Sequence, residues 1–400
     1  MKKCIITRSC LVLTILCCYI GFSQSNTVEV DGVVQDGSNN PVPYANITFT
    51  NKYKGTMTNE DGAFLLEIFK SEVNDSLEIS CMGYEPAKVK ISDYLSQPEK
   101  VIRLKESIVE LDEIKILSPV EYVQNALKNL KNTTISKPHQ LTLLYRRASS
   151  EEKKARFFVE HYMKILDKGP SAMEIIAIEV MEGRKSADYR FFKKKEFRHS
   201  VVPMTIRNPV RQHLPMKKIT WKKVGDTSYD GEDVVIIEGR PPKGAYKYMA
   251  NGQPFKLYIG VDTYAIYRIE NEANNSLYVY KKHKDGRLFL GYHSRQWTSQ
   301  EKISTELQRR LGKGINQIQA TYKHEVFVLD IETDRKRMRV RHQEAAPKTD
   351  MADLKVPYNA NFWANFVAPP DTKYFKAIKA ELESNFGVPL EKQFLYANKE

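Results

Sequence analysis

The stretch GTMTNEDGAF, which runs from Gly55 to Phe64, decides the fold of the first part of this chain. Gly62 stands directly before an apolar strand, and glycine takes a positive φ without steric cost, so it permits a tight reversal there. Downstream, LEISCMGY from Leu77 to Tyr84 repeats the order of an alternating strand followed by a glycine. Both stretches predict short antiparallel strands joined by tight turns.

The flanking sequence follows the same pattern. VEVDGVV starts at Val28 and PVPYANITF starts at Pro41, with a polar turn between them. Residues 28–104 contain no stretch of helical period, and they alternate short apolar strands with Gly, Pro, Asn and Asp. This pattern is typical of two packed sheets in a β-sandwich.

These four stretches together resemble the carboxypeptidase regulatory-like domain, which is also described as transthyretin-like. The resemblance implies a seven-stranded type of β-sandwich over residues 27–104, used as a scaffold or an added module, with no catalytic residues of its own. A calcium loop at Asn59 and Asp61 is the alternative. Only two or three ligand oxygens are visible there, whereas Ca²⁺ takes about six to eight, so we expect a structural turn.

Residues 1–23 have the order of a secretory signal peptide. Three basic residues within the first eight precede the apolar run Cys10–Phe22, and the small residues Gly21 and Ser23 precede the predicted cut. This pattern predicts export to the periplasm or the outer membrane. A lipoprotein is the less favoured alternative because Cys17 follows a leucine. An uncleaved anchor is disfavoured because no stop-transfer charges follow the run.

The composition is basic and contains few cysteines. The chain carries a net charge of +13, and loss of the three cations in residues 1–23 leaves +10. Such a surface suits anionic lipid, lipopolysaccharide or acidic polysaccharide, and an outer-membrane protein is a further candidate partner; export argues against nucleic acid. Cys81 is the single cysteine after residue 23, so we expect a buried strand residue without a disulfide.

A linker over residues 105–117 leads to a second domain over residues 118–400. SPVE at Ser118 is a capping box with proline at the first helical position, so it predicts an amphipathic helix. The following pattern predicts an antiparallel sheet with nine strands: Leu141–Arg147, Arg156–Ile165, Ile175–Met181, Val234–Gly239, Phe255–Gly260, Tyr264–Asn271, Ser276–His283, Arg287–Trp297 and Tyr322–Glu332. The predicted fold class is therefore mainly β: a sandwich followed by a larger antiparallel-sheet α+β domain with flanking helices.

The hairpin FKLYIGVDTYAIYRIE, from Phe255 to Glu270, resembles the strand pairs of the LolA-like half-barrel. That resemblance implies a curved sheet that holds an acyl chain. The order of a helix, a Tyr145-Arg146 strand, the sheet, an aromatic Asn-rich stretch and a tail helix resembles envelope proteins that carry a regulatory-like domain. We expect the tail helix to begin with Asp371 as its N-cap and to stop at Gly387.

The best candidate anion-binding residues are Arg335, Arg337, Arg339 and Arg341. They occupy alternate positions, so in an extended strand their guanidinium groups project from one face. A solvated edge strand protected by charge is the favoured alternative.

Phe362, Trp363 and Phe366 form the candidate aromatic contact. They suit stacking on sugar rings, but a tryptophan before a docking helix is more often a core anchor, and we favour that interpretation.

No local motif indicates an enzyme. The eight histidines are dispersed, and the sequence contains no HExxH pair, Gly-x-Ser-x-Gly elbow or phosphate-binding glycine loop. We therefore expect no catalytic residues, metal or cofactor, and a noncatalytic binding or scaffold role. The alternatives are a carrier of lipids or other apolar ligands that uses a half-barrel groove, and a hydrolase of envelope polymers. An open apolar groove favours the carrier, a filled core the scaffold, and a polar cleft with converging histidines and carboxylates the hydrolase.

Overall fold

The computed structural model describes residues 26–50, 52–107, 117–192, 199–212, 216–243, 253–272, 275–312, 314–340 and 349–398. The predicted signal peptide, most of the predicted linker and Arg341 lie outside the described residues. Within the described ranges, no helix has the length and apolar character needed to span a membrane.

The N-terminal domain is a sandwich of two sheets. Its strands are β1 Thr27–Gln35, β2 Asn46–Phe49, β3 Lys52–Met57, β4 Ala63–Phe69, β5 Ser76–Ser80, β6 Ala87–Lys90 and β7 Val101–Arg103, with helix α1 over Ile91–Ser96. One sheet has the order β4-β1-β7 and the other β3-β2-β5-β6, and every pair is antiparallel except β1 with β7. Gly62 and Gly83 have φ of +72° and +82°, so both predicted turns form as expected.

Two polar side chains hold the turn before β4 in place. Asn59 Oδ1 accepts hydrogen bonds from the backbone N–H groups of Asp61 and Ala63, at 2.9 and 3.0 Å. Thr58 Oγ1 accepts from Ala45 N at 2.8 Å and donates to the carbonyl of Val42 at 2.9 Å. These bonds fix the turn as a structural element. Cys81 is buried, as predicted, but it lies directly after β5 rather than within the strand.

The second domain is built on one antiparallel sheet of ten strands. Its strands are β8 His139–Glu151, β9 Lys154–Asp167, β10 Ala177–Lys185, β11 Thr220–Tyr229, β12 Glu232–Arg240, β13 Phe255–Gly260, β14 Ile266–Asn271, β15 Ser276–Lys282, β16 Leu288–Lys302 and β17 Gln317–Glu332. The spatial order is β10-β9-β8-β17-β16-β15-β14-β13-β12-β11. The predicted fold class is confirmed. All nine predicted strands are present, and the sequence interpretation missed β11.

Among the described residues of the second domain, six helices accompany this sheet: α2 Pro119–Thr133, α3 Pro203–Ile206, α4 Thr305–Leu311, α5 Ala360–Asn365, α6 Lys373–Phe386 and α7 Leu390–Ala397. The capping box of α2 forms as predicted: Ser118 Oγ accepts from Glu121 N, and Glu121 accepts from Ser118 N. The predicted N-cap of α6 is wrong by one residue, because Thr372 Oγ1 accepts from Phe375 N at 3.3 Å. Asp371 is used instead in an ion pair with Lys379 at 2.7 Å.

Both faces of the sheet are covered at its centre, and all thirteen residues of β8 are buried. We call the face that packs against α2 the inner face; Leu141, Leu143 and Tyr145 lie in its core. The opposite, outer face carries Leu144 and Ala148, which pack against α5, α6 and α7. The first half of β8 is mainly apolar, whereas Arg146 and Arg147 are buried charged residues in its second half.

The N-terminal sandwich packs on the outer face of the large sheet. Tyr44 lies against Tyr292 with ring centroids 4.8 Å apart, and Met57 is buried in the cluster that includes Leu144. Lys323 on β17 forms an ion pair with Glu60 of the sandwich. These contacts place the two domains side by side, with a cleft between them.

Candidate functional site

The inner face carries an apolar pocket at the end of the sheet farthest from β8. Its volume is about 500 Å³, and it lies between α2 and the strands β11 and β13. The walls are apolar side chains: Val123, Leu127, Leu130, Pro170, Pro209, Val210, Trp221, Phe255 and Leu257. This size and lining are typical of sites for small apolar ligands. We call it the inner pocket.

Local sequence explains how the inner pocket is built. The apolar face of α2 places Val123 and Leu127 toward the sheet, and Phe255 and Leu257 alternate on β13. Trp221 stands edge-on to Phe255 with ring centroids 5.6 Å apart. The pocket therefore has an aromatic wall opposite an aliphatic helix.

Two lysines lie at the rim of the inner pocket. Lys128 and Lys131 are exposed residues of α2 that line the cavity. Neither forms an ion pair with any residue that the structure describes. The rim thus offers positive charge next to an apolar interior, which matches an amphiphile with an acidic headgroup.

Under the central strands, by contrast, the inner face is filled. Tyr145, Phe157, Val159 and Val326 are at most 1% exposed and belong to the same core cluster as α2. Open volume on this face is therefore concentrated near β11 and β13.

Next to this core lies a buried polar cluster. Arg147 Nη1 donates to Asp350 Oδ1 at 3.0 Å, and His199 Nδ1 lies 3.1 Å from Asp350 Oδ2. His293 and His324 face each other with 3.1 Å between their Nε2 atoms. Burial lowers the pKa of His199 to about 4 and that of His293 to about 3. These imidazoles are therefore neutral at pH 7, and the cluster fastens residues 199–212 and 349–354 to the sheet.

A second buried cluster lies on the outer face. Arg146 Nε donates to Glu160 Oε1 at 2.8 Å, and Arg184 Nε donates to Glu160 Oε2 at 2.7 Å. Glu325 on β17 lies 3.9 Å from Arg146, and burial raises its pKa to about 7. Both clusters follow from the Tyr145-Arg146-Arg147 strand, whose two arginines point to opposite faces.

The prediction that the alternating arginines from Arg335 onward lie in one extended strand is wrong. Strand β17 ends at Glu332, and Asp334 closes a turn by accepting from Lys336 N at 3.0 Å and, through its carbonyl, from Arg337 N at 2.9 Å. Arg335 therefore does not stand in a strand with its neighbours. Arg341 lies outside the described residues.

The two other arginines donate to their own loop. Arg337 Nε lies 3.2 Å from Asp334 Oδ2, and Arg339 Nη1 donates to the carbonyl of Lys336 at 2.7 Å. Alternation alone does not make a strand when a preceding aspartate caps a turn.

The predicted aromatic contact divides into two parts. Trp363 is 7% exposed, packs beside Leu144 and Phe327, and has the Arg184 guanidinium 4.2 Å from its ring centroid. It is a core anchor, the favoured interpretation. Phe362 and Phe366 are half-buried and line the cleft between the domains.

Sequence reasoning missed several residues that line cavities. Trp221 lies on the strand that the sequence interpretation did not find, and Lys281 stands inside a predicted strand without any local motif. The one usable signal was a charged residue within an otherwise apolar strand. As for metals, the part of the chain that the structure describes contains no group of three or more His, Cys, Asp or Glu side chains arranged to hold an ion.

Comparison with known sequences identifies the N-terminal domain. Residues 30–116 match the sequence model of the CarboxypepD_reg-like domain, so the chain contains a carboxypeptidase regulatory-like domain. This confirms the resemblance drawn from the turns at Gly62 and Gly83. Among curated proteins, none matches the sequence significantly.

Several solved structures are similar to this chain at low sequence identity. A domain from Vibrio parahaemolyticus, described as an outer membrane lipoprotein-sorting protein domain, has a TM-score of 0.27 at 9% identity, covering 55% of this chain and 94% of its own. The lipoprotein LppX from Mycobacterium tuberculosis has a TM-score of 0.23 at 9% identity, covering 56% and 97%. A LolA superfamily protein from Nitrosomonas europaea has a TM-score of 0.19 at 11% identity, covering 53% and 93%. TM-scores of this size carry no structural argument, so we base the function on the cavities themselves.

Proposed function

We propose that this protein is a noncatalytic binding protein of the cell envelope, and that it holds a single-chain amphiphile with an acidic headgroup in the inner pocket. The observation that carries the proposal is an apolar cavity of about 500 Å³ with two exposed lysines at its rim. The signal-peptide pattern of residues 1–23 supports export. The apolar chain would lie between α2 and β13.

Burial of the ligand's alkyl chain provides most of its affinity for the protein. Each methylene group moved from water into an apolar site contributes about 0.8 kcal/mol, which is roughly a fourfold gain in affinity. Lys128 and Lys131 would attract the carboxylate or phosphate headgroup at the rim. Because those lysines are exposed, their contribution is modest and weakens with added salt.

Trp221 provides the assay, since it lines the inner pocket. We expect a brominated fatty acid to quench the fluorescence of the protein, and Trp221→Phe to abolish most of that quenching. Trp297→Phe is the matched control, because Trp297 lies on β16 away from this cavity. Quenching that survives Trp221→Phe and disappears in Trp297→Phe would contradict the proposed site.

A second pair of variants tests occupancy of the cavity. Leu127→Trp fills the pocket from α2, and Val120→Trp adds the same side chain to an exposed position of that helix. Fatty acid affinity should fall in the first variant and stay unchanged in the second. Affinity should also rise with chain length from decanoate until the pocket is full. No dependence on chain length would refute burial of the chain as the source of affinity.

The scaffold role has an observation of its own. The core beneath the central strands is filled, and the N-terminal sandwich is docked on the outer face of the sheet. If no amphiphile binds, this second candidate becomes the preferred one. Its test is whether the protein captures a defined outer-membrane protein from solubilised membranes through the N-terminal domain.

A further inference from the structure

The cleft between the two domains is a second cavity, on the opposite face of the sheet from the inner pocket. It consists of two adjoining spaces of about 540 and 680 Å³. They share five lining residues: Gly55, Lys281, Val328, Leu329 and Asp330. We call this continuous space the interdomain cleft, and its two ends differ in chemistry.

One end is aromatic. Phe362 and Phe366 stack with ring centroids 5.1 Å apart and an interplanar angle of 18°. Tyr162 of β9 stands beside both rings, at 5.4 and 5.2 Å. Asn361 and Asn365 are exposed residues that line the same space. Aromatic faces next to amide groups suit a ligand that has both C–H faces and hydroxyl groups.

The other end is charged, with more cations than carboxylates. It is lined by Lys281, Lys282, His283, Lys284 and Arg337, by the carboxylates Asp330 and Glu332, and by the polar Asn46 and Thr48. Lys282 is paired with Asp230, and Arg337 is paired with Asp334. Across the described residues, neither Lys281 nor Lys284 has a carboxylate partner. Two cations therefore remain available to an anion in the cleft.

Lys281 stands where the two ends meet. Its stem crosses Gly291 so closely that a Cβ there would lie 2.4 Å from the lysine Cγ. Glycine at 291 therefore keeps the path of this side chain open. Burial lowers the pKa of Lys281 to about 8, and an anionic ligand would compensate for that loss of solvation.

The chemistry favours a saccharide over an acyl chain. An alkyl chain laid on Asp330 would displace water from a carboxyl group, which costs free energy. A sugar ring covers an aromatic ring with its C–H face and offers hydroxyl groups to amides and carboxylates. We propose that the interdomain cleft binds an acidic oligosaccharide, with its rings at Phe362 and Phe366 and its carboxylates at Lys281 and Lys284.

The test is calorimetric titration with a short oligogalacturonate and with the neutral galactose oligomer of equal length. We expect the acidic oligomer to bind more tightly and its affinity to fall as salt is added. Lys281→Met keeps the stem and should weaken binding by about tenfold, the effect of losing one charge-assisted contact. Lys164→Met, at a half-buried lysine of β9 outside the cleft, is the matched control.

An additional variant distinguishes weaker ligand binding from misfolding of the protein. Asn365→Asp adds a negative charge at an exposed position and should weaken binding of the acidic oligomer while leaving the thermal midpoint unchanged. Equal affinity for acidic and neutral oligomers, or equal losses in Lys281→Met and Lys164→Met, would overturn the proposal. Competition by phosphatidylglycerol vesicles that depends on Lys281 would assign the cleft to a lipid headgroup and also overturn it. Leu127→Trp, which fills the inner pocket, should leave saccharide binding intact, so the two proposals fail separately.

Discussion

We predict that substitution of Glu160 lowers the free energy of unfolding more than most single substitutions in the sheet. It is 0% exposed, and its two carboxylate oxygens accept hydrogen bonds from Arg146 and Arg184. Burial alone would raise the pKa of Glu160, but the two guanidinium groups outweigh burial and hold that pKa well below its usual range. The carboxylate is therefore charged in the folded protein at any pH near neutrality.

The substitution Glu160→Gln removes the charge and keeps the shape. An amide accepts on one atom only, so its NH₂ group would face a guanidinium donor, and Arg146 is 1% exposed. Removing the partner of a buried charge costs about 3 to 5 kcal/mol, and because Arg146 keeps Asp371 at 3.3 Å and Glu325 at 3.9 Å, the lower end of that range applies. We expect a loss of that size in the free energy of unfolding, measured by urea titration at pH 7.

The matched control is an exposed ion pair of the same kind. Lys105 and Glu85 lie 2.8 Å apart, with side chains 77% and 48% exposed. Exposed pairs contribute at most about 1 kcal/mol, so Glu85→Gln should change stability little. Equal small losses in Glu160→Gln and Glu85→Gln would refute the reasoning.

The other predictions concern Glu325, Ser118 and the export signal. Because burial raises the folded pKa of Glu325 to about 7 from an ordinary 4.5, its contribution to stability is present below pH 4.5 and is lost as the pH rises through 7. Glu325→Gln should remove about 3 kcal/mol of the change in the free energy of unfolding between pH 4.5 and 7. Urea titrations across this pH range measure that change, and an unchanged slope against pH would contradict the prediction. Ser118→Ala removes the cap of α2 and should cost about 1 kcal/mol in thermal unfolding, whereas Ser92→Ala on α1 should cost less. N-terminal sequencing of exported protein should find a start after Ser23, and a start at Met1 would be evidence against a cleaved signal.

The local sequence determined the elements that depend on short-range interactions, such as turns and helix caps. Gly62 and Gly83 predicted their turns because positive φ is a property of one residue. The Ser118 capping box predicted the start of α2 because both of its hydrogen bonds lie within four residues. The alternation of apolar residues predicted nine of the ten strands of the sheet. It missed β11, where Thr220–Tyr229 carries exposed lysines and a glycine that weaken the pattern.

The prediction of an extended strand over the arginines was wrong because of another short-range interaction. Alternate spacing at Arg335, Arg337 and Arg339 fits an extended strand, but Asp334 offers hydrogen bonds that stabilise a turn instead. A short-range capping interaction outweighed the periodicity. The aspartate is a local sequence feature that favours a turn at this position.

The cavities were decided by tertiary structure alone. The inner pocket brings α2 against β11 and β13, which lie about a hundred residues further along the chain. The interdomain cleft exists because the sandwich docks on the outer face through pairs such as Glu60 with Lys323 and Asn59 with Pro370. No local pattern encodes such contacts, because they join residues 263 and 311 positions apart and form only after each domain has folded. Sequence thus determined the turns, caps and most strands, whereas packing between distant segments decided where a ligand has room to bind.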